Sequence, residues 1–122
     1  MTQWVRVERV GRVSVVDAHG ELDAFSASAL VDAFGEVAAD ERVLIDLSRV
    51  SFMDSTALGL VVKVANEITD RGCDLRLVLP TRSARRIFEI TTLDRVLPIE
   101  ATRDAALRAL GEGSARVADD AR

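Results

Sequence analysis

Ser55 stands between a carboxylate and a second hydroxyl in Phe52-Met53-Asp54-Ser55-Thr56-Ala57-Leu58-Gly59, where strand-forming residues give way to a helical pattern. Backbone N–H groups in the first turn of a helix have no intrahelical acceptor, and with the helix dipole they favour an oxyanion. A phosphate on Ser55 can be held at such a place. It would also put new negative charge beside Asp54, which changes what a docking partner meets. The same residue types have a plainer use. Asp, Ser and Thr at a helix start serve as caps, Gly59 suits close helix packing, and Leu58 suits an ordinary core. On the residues alone the plainer reading wins.

An enzyme would have to recruit His19, Asp23, Asp54, Ser55 or Cys73. A serine, an acid and a histidine form a triad only through mutual geometry, which spacing does not supply, so no catalytic residue is assigned. Cys73 is the single cysteine, which excludes an internal disulfide, and as the start of Cys73-Asp74-Leu75-Arg76-Leu77 it is most simply a small core side chain. A lone histidine among dispersed acids offers no compact ligand set, so neither a metal nor a cofactor is expected. Arg82, Arg85 and Arg86 make a small basic cluster that a solvated helix face explains. No glycine-rich loop ends in Gly-Lys-Ser or Gly-Lys-Thr, and ATP binding is not assigned to this chain.

These residues must be positioned by a succession of short elements. Val5 and Val7, then Val13 and Val15, alternate with polar residues on either side of Gly11-Arg12 and predict a hairpin. Ala27, Leu30, Phe34 and Val37 follow at helical spacing, widened by Val31 and Ala38, with Asp23 or Ser26 as the cap. Val43-Leu44-Ile45-Asp46-Leu47 predicts a central strand covered on both faces, and Ser48 to Met53 the connection to a helix patterned by Leu58, Val61, Val62, Ala65 and Ile68. Arg71-Gly72 is its stop. Leu75 to Leu79 predicts another strand, Ser83 to Ile90 a helix of two turns, Val96 to Ile99 an edge strand, and Thr102 the cap of a last helix through Leu110. The alternation of strand and helix favours an α/β fold with a mostly parallel sheet under helical cover, made mixed by the hairpin.

At 122 residues the chain suits one domain, placed over residues 1–110, with residues 111–122 as a flexible tail that carries no periodic apolar face. Its 48% apolar content excludes a disordered chain, and the net charge of −4 disfavours direct binding to nucleic acid or an anionic membrane. The early charges of Arg6 and Glu8 exclude a signal peptide, and no apolar run reaches the length of a membrane span, so a cytoplasmic location is expected.

Val43 to Gly59, ending in Met53-Asp54-Ser55-Thr56-Ala57-Leu58-Gly59, resembles the signature region of bacterial anti-sigma factor antagonists, the STAS-domain family. Gly20-Glu21-Leu22-Asp23 is similar to an earlier segment of that family, and Arg85 to Ile99 to its C-terminal portion. The similarity runs from about Val5 to Leu110. It implies a STAS-like fold and a protein-binding regulator rather than an enzyme. Ser55 then corresponds to the serine phosphorylated by a cognate anti-sigma serine kinase, with Asp23, Asp54, Ser55, Thr56, Ala57, Leu58 and Gly59 on the partner-binding surface. By the same resemblance the unmodified protein binds the kinase and releases a sigma factor, phosphorylation ends that binding, and a serine phosphatase restores it. A non-phosphorylated scaffold or transport-accessory module is the alternative within the family. Ala57 stands where the common motif has glycine, and its methyl group is expected to occupy space that a docked partner would use.

Overall fold

The computed structural model describes residues 5–23, 26–37, 42–79 and 98–111. Strand β1 (Val5–Val10) and strand β2 (Val13–Leu22) form the expected antiparallel hairpin, with Val10 opposite Val13 and Gly11 taking a φ of 59° in the turn between them. Helix α1 (Ala27–Glu36), strand β3 (Arg42–Met53), helix α2 (Ser55–Asp70) and strand β4 (Asp74–Val78) follow, then strand β5 (Ile99–Glu100) and helix α3 (Arg103–Ala109). Among the described residues the sheet has five strands in the order β1-β2-β3-β4-β5, and every pairing after the hairpin is parallel. Such a mixed sheet under helices is the anticipated fold.

Both faces of the sheet are covered. Val43, Ile45 and Leu47 lie in the larger core with Leu30 and Phe34 of α1 and Val61, Ala65 and Ile68 of α2. On the other face Val13, Val15, Leu44 and Val78 pack against Ala106, Leu107 and Leu110. Period-two alternation thus divides β3 between two cores.

Two differences from the sequence expectation matter for the site. Both β2 and β3 are longer than their regular alternation suggests: Ser48 to Met53 is strand rather than connection, and the residues leading to Asp23 are strand through Leu22. Irregularities in the β2–β3 register, between Asp17 and His19 and between Gly20 and Glu21, break the alternation and hid this continuation. The last described strand comprises Ile99–Glu100, and Pro98 offers its carbonyl to the Leu77 N–H at 2.9 Å; Val96 and Leu97 of the expected strand lie outside the described residues. The helix expected over Ser83 to Ile90 and the tail from residue 112 onward lie outside the described residues.

Candidate functional site

Asp54 caps α2. Its backbone is extended (φ −86°, ψ 177°), its Oδ1 accepts from the Ala57 N–H at 2.9 Å, and its carbonyl accepts from the Leu58 N–H at 2.9 Å. The Asp54 N–H in turn donates to the carbonyl of Leu22 at 3.1 Å, which ties the helix start to the end of β2. Because Leu22 pairs with Met53, the residues that follow them, Asp23 and Asp54, emerge side by side at the same end of the sheet. The fold thus joins two acids that are far apart in the chain.

Asp23 is the residue that organises the entry to α1. Its Oδ1 accepts from the Ser26 N–H at 2.9 Å, its own N–H donates to Ser26 Oγ at 3.0 Å, and the Ser26 hydroxyl donates to the Glu21 carbonyl at 2.9 Å. Ser26 stands at the N-cap but its side chain makes no capping bond to the helix. The buried hydroxyl of Ser26 therefore fixes the turn from beneath, while Asp23 stays exposed above it.

Ser55 and Thr56, the first residues of α2, are exposed, and Asp54 is half-buried. Ala57 is not at the surface. Its side chain is fully buried in the larger core, so the methyl that replaces the motif's glycine fills space inside the domain, contrary to the expectation that it meets a partner. Leu58 is only half-buried at the margin of that core, and Val64 joins Val61, Ala65 and Ile68 as a fully inward residue. Gly59 is exposed. Beside this surface Phe52 keeps 55% of its area in solvent; with Met53 buried next to it, the alternation carries Phe52 to the opposite side of the strand. Sequence reading passed over Phe52 as part of a connection.

His19 and Cys73 do not complete a reactive group with Ser55. His19 sits three residues back along β2 from Leu22, about 10 Å at the rise of an extended strand. Cys73 precedes Asp74, which pairs with Arg42 at the start of β3, whereas Ser55 follows the end of β3. Among the described residues no group of His, Cys, Asp and Glu is placed to hold a metal ion. Arg82, Arg85 and Arg86 lie outside the described residues.

A charged cluster on the α3 face went unread in the sequence. Asp17 and Asp46 are paired neighbours on β2 and β3, both buried, and Arg103 from the first turn of α3 reaches them. Its Nε donates to Asp46 at 2.7 Å, one terminal nitrogen donates to Glu8 at 3.1 Å, and the other lies 3.4 Å from Asp17. Arg49 also donates to Asp17, and Arg6 approaches it at 3.6 Å. Burial opposes the charged form of Asp46, but hydrogen bonds from Ser48 and Arg103 and the positive charge of Arg103 outweigh it and hold its pKa below the ordinary 3.8. Burial likewise works against charge on Arg103, and its acidic partners overcome it and raise its pKa. A single Asp inside Val43-Leu44-Ile45-Asp46-Leu47 was the available signal, since a buried carboxylate needs a cationic or hydrogen-bonding partner.

The model of the STAS domain matches residues 5–106. The chain belongs to the STAS domain family. Its STAS fold is shared by the crystal structure of an anti-sigma factor antagonist from Mycobacterium paratuberculosis, 34% identical, with a TM-score of 0.79 over 88% of this chain and 93% of that one. In sequence the STAS domain is 35% identical over 83 residues to the anti-sigma-B factor antagonist of Listeria monocytogenes, covering 66% of this chain and 73% of the relative. It is 32% identical over 96 residues to the anti-sigma-B factor antagonist of Bacillus subtilis, covering 76% and 86%. Proteins of this family act as regulators rather than catalysts. No helix among the described residues is long and apolar enough to cross a membrane.

Proposed function

We propose that this STAS domain is an anti-sigma factor antagonist whose partner is an anti-sigma serine kinase and whose switch is Ser55. The unmodified domain binds the kinase in the cytoplasm and frees a sigma factor; phosphorylation of Ser55 ends the binding, and a serine phosphatase restores it. The observation that carries this reading is the exposed Ser55 hydroxyl directly after an Asp54 carboxylate already engaged in capping α2. The relatives' role as antagonists of anti-sigma factors supports the partner class.

The electrostatics support a switch rather than a structural modification. A phosphoryl group adds about −1.5 to −2 charge at neutral pH. The start of α2 favours an anion, so the isolated domain tolerates it, although Asp54 lies next to it. Docking removes the water that solvates both anions, and the penalty falls on the complex alone. Asp23, beside Asp54 at the same end of the sheet, extends the contact surface.

Phosphosite mass spectrometry with the anti-sigma kinases of the source cell and ATP, joined to pull-downs from that cell, tests the assignment. Phosphate should appear on Ser55, and wild type and Ser55→Ala should both recover an anti-sigma kinase while Ser55→Asp does not. Phosphate on Thr56 alone, or recovery of transporter components only, contradicts it.

A further inference from the structure

Strands β2 and β3 run in step as far as Asp17 and Asp46 and then part. Leu22 pairs with Met53, so five steps on β2 are matched by seven on β3. The first extra residue is Ser48: Ala18 and Leu47 both face the larger core, and His19, next after Ala18, pairs with Arg49. The second is Ser51, between Val50, opposite Gly20, and Phe52, opposite Glu21. Both serines are exposed. Bulges are rare between parallel strands, and each one reverses the alternation beyond it. Val43, Ile45 and Leu47 face the larger core; the first bulge turns Val50 inward and the second turns Met53 inward.

Each bulge has its own cause. At the second, Gly20 takes a φ of 80°, which lets the partner strand bend without strain. At the first, the cause is Asp46. Its Oδ1 accepts from the Ser48 N–H at 2.9 Å, the bond to the second residue onward by which an Asp side chain draws backbone out of a ladder. Its Oδ2 takes the Nε of Arg103 at 2.7 Å. Burial and this second bond fix the carboxylate, and the fixed carboxylate holds the bulge.

The end of β3 depends on that bulge. Were Ser48 to take a ladder position, Leu22 would meet Phe52 instead of Met53, and the start of α2 would move by about one residue, roughly 3.3 Å. Val50 would leave the core, and the Asp54 N–H would lose the Leu22 carbonyl to which it donates at 3.1 Å.

We propose that Asp46, buried beneath α3, is a positioning residue for Ser55: by setting Ser48 aside it brings β3 to the end of the sheet with Asp54 tied to Leu22 and Ser55 at the exposed helix start. Its bearing on phosphorylation rests on the reading of Ser55 as a kinase substrate. Asp46 is buried and acts on that substrate only through β3. A slipped strand would have to turn Arg49 inward, so loss of the Asp46 bond loosens the end of β3 rather than fixing a new register. A kinase then finds Ser55 aligned in only a fraction of the molecules, and its apparent affinity falls by that fraction while chemistry in the bound complex is unchanged.

The test measures KM and kcat for Ser55 phosphorylation by each purified anti-sigma kinase of the source cell with ATP, together with hydrogen exchange at the Asp54 amide, below the Tm of every variant. The variants are Asp46→Asn, Asp46→Ala, Arg103→Ala, and Asp46→Ala with Ser48 deleted. Asp46→Ala should exchange Asp54 about tenfold faster and raise KM about tenfold with kcat unchanged. Asp46→Asn keeps an oxygen for the Ser48 N–H, and Arg103→Ala keeps the carboxylate, so both should hold KM within about twofold of wild type although both lower Tm. Deleting Ser48 removes the residue that needs setting aside and should return the KM of Asp46→Ala toward the wild-type value. If Asp46→Ala alone does not fold, recovery of folding on that deletion supports the proposal and failure to recover overturns it. An unchanged KM in Asp46→Ala would overturn it, and so would an equal rise in Arg103→Ala, which would mean that the loss merely follows stability. A wild-type chain that no kinase phosphorylates on Ser55 would overturn the reading of Ser55; the exchange arm still decides the positioning, and unchanged Asp54 exchange in Asp46→Ala overturns it.

Discussion

Helices α2 and α3 begin with the same chemistry and put it to different ends. Asp54 and Thr102 are both extended N-cap residues, and each accepts a hydrogen bond from the third helical N–H, Ala57 at 2.9 Å and Ala105 at 3.1 Å. The residue after the cap then diverges. In α3 it is Arg103, which reaches across the sheet to Asp46, Glu8 and Asp17 and ties the helix to β1, β2 and β3. In α2 it is Ser55, whose short side chain stays exposed while the helix is held by the apolar side chains behind it. The first turn of α3 thus serves the fold. The first turn of α2 leaves its surface open for the proposed partner, because the core under α2 already fixes the helix.

The comparison breaks most readily at Arg103. Arg103→Ala leaves Asp46 buried without its cation and should cost about 2–4 kcal/mol, somewhat less than a fully buried broken pair because the arginine is partly open to water and Arg49 still serves Asp17. Urea unfolding measures this. An unchanged midpoint would mean that α3 is held by Ala106, Leu107 and Leu110 alone.

The same pair predicts a pH dependence. A carboxylate whose folded pKa is depressed contributes stability that is fully present above its unfolded value and is lost as pH falls through the folded one. Asp46 lies below the ordinary 3.8, so the stability difference between wild type and Arg103→Ala should be constant near neutrality and should narrow as pH drops under 3.8. A difference independent of pH from 7 to below 3 would show that the Arg103 contacts do not depend on the charge of Asp46.

At the α2 start the expected effect is smaller. Asp54→Ala removes one cap and should cost about 1 kcal/mol, comparable to Thr102→Ala, since both lose one bond to a helical N–H. A much larger loss for Asp54 in chemical denaturation would indicate that its tie to Leu22 depends on the side chain as well as on the backbone N–H.

This contrast was half legible in the sequence. The hairpin followed from alternation about Gly11-Arg12, and the stop of α2 from Gly72, which adopts a φ of 84°. The helix start at Asp54-Ser55 followed from cap chemistry and from resemblance to a known motif. Burial within α2 was legible only in part. Val61, Ala65 and Ile68 set the helical phase, but Ala57 and Leu58 are adjacent, and only packing decides which turns fully inward. Asp17, Asp46 and Arg103 were not legible, because their partnership joins three elements and no local pattern records it. The bulged register had the same effect on the extent of β2 and β3, where one extra residue reverses the alternation that marks a strand.

The most direct measurement is titration calorimetry of the cognate anti-sigma kinase with the domain unmodified and with the same domain stoichiometrically phosphorylated on Ser55, accompanied by the Tm of each. Unmodified domain should bind, and the phosphorylated form should bind at least about tenfold more weakly with a Tm little changed, because the penalty belongs to the desolvated complex and not to the isolated helix start. Equal affinity of the two forms would contradict the proposed switch, and so would a loss of binding that merely follows unfolding of the phosphorylated domain.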